Sequence, residues 1–294
     1  MDQRPQRKLD HWFVTAVLVL MVVGASGCAA MHQPMPDIKG RLAISVSSEL
    51  PNGHEIAAGV HRLPDTAVYV SGYFADAMQT GQFFGALGMI AAEASARSRA
   101  EKKTAHVTAL RLDMAAAARR ILSDQLARGD VNRFASSGPA DATVEVVPYL
   151  VVASTGNDQM RPWVFVKTSL KDNGGAEKWK MRYIVSLGEP RSLEGPNGWV
   201  AGDGSSLRSA VNQALRTAID LLMRDASGQL QRHTGRDVKV KAQWAWSKEM
   251  VEYAAEVLDE TAERMTIATK TMRGISDGVI VIDKTSIRLA ADAK

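Results

Sequence analysis

Between Trp163 and Ser186 the chain alternates apolar and polar positions on both sides of a turn. Val164, Val166, Thr168 and Leu170 share one side of the first stretch, Trp163–Lys171. Trp179, Met181, Tyr183 and Val185 share one side of the second, Glu177–Ser186. Between them lies Asp172-Asn173-Gly174-Gly175, whose Asn and Gly readily take positive φ, so the pattern predicts an antiparallel hairpin. Helical spacing brackets it. Over 109–128, Met114, Ala118, Ile121, Leu122 and Leu126 fall on one face and Gly129 stands as a stop. From about Ser206 to Arg224, Leu207, Val211, Ala214, Leu215, Ala218, Leu221 and Leu222 form a second stripe. Thr143–Ser154 is rich in β-branched residues, and Pro148 within it predicts an edge strand or a bulge.

Two more strands are predicted earlier, at Arg41–Ser47 and Ala67–Tyr73, with Pro51-Asn52-Gly53 as a turn between them. After residue 232 the pattern reads strand (Val238–Trp246), helix (Lys248–Glu263) and two strands (Met265–Thr269, Gly278–Arg288). The stripes are all buried by an antiparallel sheet with helices covering one face, an α+β fold. The division is 1–27, a leader; 28–37, a tether; 38–232, the α+β domain; and 233–294, a strand-helix-strand extension. That extension is either a second small domain or more strands on the same sheet.

The leader carries the sharpest signal. A basic start (Arg4, Arg7, Lys8) precedes the apolar Phe13–Val23, then Ala25-Ser26-Gly27 and Cys28, the one cysteine of the chain. This layout resembles the bacterial lipoprotein lipobox, in which the cysteine is acylated and becomes the new N-terminus after cleavage. The run is too short for a membrane-crossing helix of about 20 residues, and a buried core helix would not explain the order of basic, apolar and small residues. Ala29, where an Asp would favour retention at the inner membrane, makes the resemblance imply outer-membrane delivery facing the periplasm. The Pro-containing 29–37 reads as the tether. The order helix, three strands, helix over Leu110–Arg224 is similar to that of periplasmic lipoproteins of the LpoB and CsgG kind, which bind envelope machinery. That resemblance is one of element order and carries over no functional residue.

Composition narrows the classes. The chain is 46% hydrophobic and 23% charged, a globular balance. With Cys28 acylated no thiol is left for a disulfide, so packing must supply stability. The formal charge of +4 falls by one with the leader, which holds Arg4, Arg7 and Lys8 against Asp2 and Asp10. Such a mild, spread charge does not point to nucleic acid.

Candidate chemistry is thin. His32, His54, His61, His106 and His233 lack the spacing of a joint metal site, although His54 and His61 could meet across a hairpin. No Gly-x-Ser-x-Gly elbow occurs. Gly202-Asp203-Gly204-Ser205-Ser206 reads instead as a helix cap. Asp172, Asn173 and Glu177 have hairpin spacing rather than that of a calcium loop. No catalytic residue, metal or cofactor is therefore assigned.

Two features suggest contact instead. Gly81–Lys102 begins with Gly81, Phe83, Phe84, Gly85 and Gly88, small residues on a shared helix face beside two rings. Such a face suits either a tightly packed helix or a surface for a partner. Trp244 and Trp246 lie on one side of a predicted strand, with Lys239 and Lys241 on the other, which fits burial; exposed, the pair would suit a glycan or protein partner. Trp199 lies in a Gly-rich loop, where a large ring is hard to bury, and is expected at the surface. The expectation is a non-enzymatic, membrane-anchored binding or assembly protein, contacting an envelope protein or itself. The alternatives are an envelope hydrolase or glycan-modifying enzyme, and a carrier of lipid or another small ligand.

Overall fold

A computed structural model of the chain describes residues 34–38, 40–56, 59–72, 85–128, 133–134, 139–230, 236–269 and 278–289. The predicted hairpin forms, in the predicted register. Strand β5 (Gln159–Asp172) pairs antiparallel with β6 (Glu177–Ser186), setting Val164 opposite Val185, Val166 opposite Tyr183, Thr168 opposite Met181 and Leu170 opposite Trp179. The turn is fixed by Asp172, whose Oδ1 accepts from the backbone N–H groups of Gly174 (3.0 Å) and Ala176 (2.9 Å).

On the other side of β5 runs β4 (Ala142–Gly156), paired along nearly its whole length. Pro148 marks neither of the two features expected of it: β4 is not an edge strand, and its register with β5 runs unshifted through Pro148, opposite Val166. Two short strands share its far side: β1 (Leu42–Val46) pairs parallel with 142–146, and β3 (Val68–Ser71) pairs parallel with 150–153. The Leu150 N–H donates to Ala67 and the Val146 carbonyl accepts from Ser47, so even-numbered residues of β4 address this side. The N–H that Pro148 lacks would have pointed into the gap between β1 and β3, where no acceptor strand runs.

The remaining strands are β2 (His61–Arg62), β7 (Arg191–Ser192), β8 (Asp237–Gln243), β9 (Met250–Glu260), β10 (Arg264–Thr269), β11 (Val279–Asp283) and β12 (Ile287–Leu289). All belong to one mixed sheet of 12 strands, whose main path is β12-β8-β9-β10-β11-β6-β5-β4-β3-β2. The sheet is mixed rather than purely antiparallel because β1, β3 and β11 join it through parallel pairs. The region after residue 232 therefore extends the first sheet through β11 and β6. Its predicted helix over Lys248–Glu263 is strand β9 instead. Glu, Ala, Met and Leu there favour a helix, but β8 and β10 hydrogen-bond β9 on both edges, and context overrides propensity.

Three long helices complete the fold: α1 (Gly85–Ala109), α2 (Met114–Ala127) and α3 (Ala201–Ala226). The order α2, β4, β5, β6, α3 is the one read from the sequence. The stripe of α3 is buried at all seven predicted positions, and that of α2 at Met114, Ala118, Ile121 and Leu122, with Leu126 packed at the margin. Both lie on the sheet face formed by Val164, Val166, Tyr183 and Val185. Asp113 caps α2, its Oδ1 accepting from the Ala116 N–H at 2.8 Å. The expected cap of α3 takes another form. The element is entered at Val200 with no side-chain cap, and Gly202, Asp203 and Gly204 all hold left-handed φ. At Gly204 (φ +73) a Cβ would stand 2.5 Å from Leu110 carbons, so any other residue would adopt an unfavourable positive φ and push the Leu110 side chain of the α1–α2 linker aside.

The opposite face of β4, β5 and β6 is buried too, but by the sheet itself. Strands β8 to β11 curl back over Tyr149, Val151, Trp163, Phe165 and Ile184 to close a second core with Val240, Trp244, Met265, Ile267 and Ile280. Tyr149 stacks on Phe165 (centroids 5.0 Å apart) and meets Tyr69 edge-on at 5.2 Å. The central strands are thus covered by helices on one side and by their own sheet on the other.

Candidate partner surface and tether clamp

The long β4–β5 pair gives the body two ends, and each carries one of the features singled out in the sequence. At the end where β4 starts and β5 finishes, the tether meets the fold. Met35 is buried in the helix-side core, so the tether is part of the fold by residue 35. Arg133 fixes it there. Its Nη2 donates to the Pro36 carbonyl (3.1 Å), the Asp37 carboxylate (3.1 Å) and the Ile38 carbonyl (3.2 Å). Its Nη1 donates to the Ala226 carbonyl at the end of α3, at 2.7 Å. The planar guanidinium presents its donors in a fixed fork, which suits one side chain bridging two segments. The Arg133 carbonyl in turn accepts from the Leu42 N–H at 3.0 Å, and Phe134 buries its ring in the same core. One residue thus joins the tether, β1 and α3. Close by, Tyr183 donates to the buried Asp225 at 2.7 Å and ties β6 to the last turn of α3.

At the opposite end, where β4 finishes, β5 begins and β8 turns into β9, aromatic rings gather. Trp244 is buried and donates its indole N–H to the Val251 carbonyl at 2.9 Å. Trp246 lies nearly parallel to it (centroids 6.0 Å, 9° between planes) and donates to the Tyr253 hydroxyl at 3.3 Å. Tyr253 closes the cluster, 5.1 Å from Trp244 and 6.5 Å from Trp246. Trp246 and Tyr253 are partly exposed, and Met250, at the start of β9 and on its opposite face from Tyr253, is one of two large apolar residues exposed among the described residues. Rings held in place by stacking and by hydrogen bonds at their polar tips offer contact area at little entropic cost.

This corner is pinned to the central strands. Gln243 donates to the Thr155 carbonyl (3.3 Å), the Ser71 hydroxyl donates to the Ala245 carbonyl (2.5 Å), and Arg161 donates to the Gln243 carbonyl (3.4 Å). Arg161 is buried, and burial lowers its pKa, partly offset by the charges of Glu189 and Asp283. Arg161 Nε, Trp163 Nε1, Ser186 Oγ and Ser286 Oγ are buried here without hydrogen-bond partners among the described residues. Trp163 and Ser186 sit directly opposite each other in the β5–β6 register, and Ser286 precedes the residue paired with Ala242. Unpaired buried polar atoms cost stability, and four lie at this end.

The sequence-predicted positions divide accordingly. Trp244 is buried, as the strand pattern favoured, and only Trp246 of the pair reaches the surface. Trp199 is not exposed. Its ring is fully buried, its indole N–H donates to the Met160 carbonyl at 2.9 Å, and the Arg191 guanidinium covers it 3.7 Å from the centroid. A loop can bury a large ring when the strand below offers a carbonyl and a cation seals the top. It is therefore a staple of the 193–200 loop and not a contact residue. Gly85 and Gly88 lie in the first turn of α1, whereas Gly81, Phe83, Phe84 and Cys28 fall outside the described residues. Further along α1 the buried face is a stripe of small residues, Ala92, Ala96, Ala100 and Thr104. No helix of the described residues is long and apolar enough to cross a membrane. His61 lies buried in β2 opposite Val70.

Arg133, Tyr253 and Met250 were not singled out from the sequence. Tyr253 and Met250 were hidden by the helical reading of 248–263. Arg133 gave no signal, since the groups it grips are 93 to 97 residues away in the chain. No family model matches the chain, and neither a curated protein nor a solved structure matches it, so the functional reading stands on its residues and their geometry.

Proposed function

We propose that the protein is a lipoprotein of the outer membrane, acylated on Cys28 and facing the periplasm, that binds a protein of the envelope rather than performing catalysis. The observation that carries this reading is the ordered leader, with its basic start, apolar middle and Ala25-Ser26-Gly27 before Cys28. The clamp supports it. An extended tether gripped by a dedicated arginine at residues 36–38 is what a body hung from its N-terminus needs. The partner is assigned to the corner of Trp246, Tyr253 and Met250, where aromatic rings and an exposed methionine combine apolar area with little mobility.

Replacement of Cys28 by Ser tests the anchor. The variant is expected to lose incorporation of a clickable fatty acid and to leave the membrane fraction; unchanged membrane association would overturn the reading. For the corner, Trp246→Ala should reduce capture of partner protein by the tagged full-length chain from crosslinked envelopes, without displacing the chain from the membrane.

A further inference from the structure

The clamp makes the tether much shorter than the sequence suggested, and this has a geometric consequence. Cys28 and Pro34 are separated by residues 29–33. Six residue steps span at most about 20 Å, whatever path they take. Were residues 34–40 also free, the leash would run to Arg41, which Asp141 holds independently, and its reach would about double, to about 45 Å. The body is itself long: the 15 residues of β4 span about 45 Å. Arg133 therefore turns a leash as long as the molecule into one about half as long, fastened at one end.

We propose that Arg133 orients the protein on the membrane. Pro34 is kept within about 20 Å of the lipid surface, the end formed by the α3 C-terminus, the start of β1 and the Asp172–Gly175 turn is thereby the nearer one, and the Trp246 corner is the part directed away from it. This inference rests on the acylation of Cys28. Two cations beside the clamp are already paired. At the clamped end Arg133 pairs with Asp37 (3.1 Å), and Arg224, in the last turn of α3, pairs with Asp259 (3.2 Å). Attraction of cations to an anionic leaflet is worth about 1 kcal/mol for each unpaired cation near the surface, and Arg133 and Arg224 are each matched by a carboxylate. The partner implied is one met away from the surface on which the protein stands, and the lipid itself is not the ligand of the aromatic corner.

The full-length lipoprotein, reconstituted into phosphatidylethanolamine–phosphatidylglycerol vesicles, allows a direct test. Since the chain has no cysteine beyond Cys28, Asn173→Cys or Glu249→Cys gives a single labelling site at the clamped end or at the corner. Energy transfer from these dyes to an acceptor in the lipid should be several-fold more efficient from 173 than from 249. Arg133→Ala should lower transfer from 173 and narrow the difference. So should duplication of residues 29–33, which lengthens the leash without touching the fold. Equal transfer from both sites in a vesicle-bound protein would overturn the orientation while leaving the anchor intact, as would a 173 signal indifferent to both changes. A chain that carries no lipid and does not bind vesicles would overturn the anchor and the orientation together.

Discussion

The two ends of the β4–β5 pair are built from different interactions. At the clamped end the contacts are hydrogen bonds from one guanidinium to backbone carbonyls and a carboxylate, together with charge pairs and the Tyr183–Asp225 bond. They are directional, nearly all satisfied, and they specify where a chain segment lies. At the aromatic end the contacts are stacked rings over buried polar atoms, four of which have no partner among the described residues. The first end fixes geometry; the second holds surface in reserve. The proposed role, a body anchored at its N-terminus that binds a partner, would use both, separated by a stiff connection. The two-faced burial of β4, β5 and β6 supplies it.

Breaking the connection should have the largest effect. Val166 is completely buried against the helices, opposite Tyr183. Val166→Asp places an unpaired carboxylate there and is expected to cost about 4 kcal/mol, read as a lowered midpoint in urea unfolding of the purified protein. Both ends should be lost together. Trp199→Ala removes the ring that pins the 193–200 loop to Met160 and is expected to cost about 3 kcal/mol. An exposed ring would have cost little, so calorimetry of this variant distinguishes the two placements.

Changes confined to one end should be smaller and should separate. Arg133→Ala removes the fork at a partly exposed site and should lower stability by about 2 kcal/mol. Residues 34–38 should become protease-sensitive while Trp246 fluorescence is unchanged. Trp246→Ala removes one stacked ring and should cost about 1 kcal/mol, leaving the clamp resistant. If each variant disturbed the opposite end as strongly as its own, the two ends would not be independent.

Least is expected from acid. Asp172 is held below its ordinary carboxylate value, first by its bond from Lys178 and then by the backbone N–H of Ala176. Glu145 is lowered mainly by the bond from Lys171. A carboxyl whose pKa is depressed on folding contributes its full stabilisation above its unfolded value and loses it as pH falls through the folded one. Stability should therefore decline at the acid side of the normal carboxylate range, and Asp172→Asn should flatten that decline. A parent curve level through this range would show that neither pair contributes.

What the sequence made legible follows from how local each signal was. The β5–β6 register and the α3 stripe could be read because each is a periodic pattern closed within about 25 residues. The strand β9 could not: Ala254, Ala255, Glu256 and Leu258 favour helix, and only the neighbouring β8 and β10, one of them later in the chain, decide otherwise. Trp199 was misjudged because burial in a loop depends on Met160 and Arg191, which sequence spacing does not bring near. Pro148 was a true signal of a missing hydrogen bond, but the break lies in the strands beside β4 and not in β4's place in the sheet. Of the candidate surface, Trp246 was identified, whereas Tyr253 followed only from the strand.

The proposed anchor and the orientation both depend on what is attached to Cys28. Intact-mass and peptide mass spectrometry of the protein extracted from its native membrane reads this directly. The expected N-terminal peptide begins at Cys28, lacks residues 1–27, and carries the added mass of a diacylglyceryl group. A peptide that begins upstream of Cys28, or one that begins at Cys28 with an unmodified thiol, would contradict the lipid anchor.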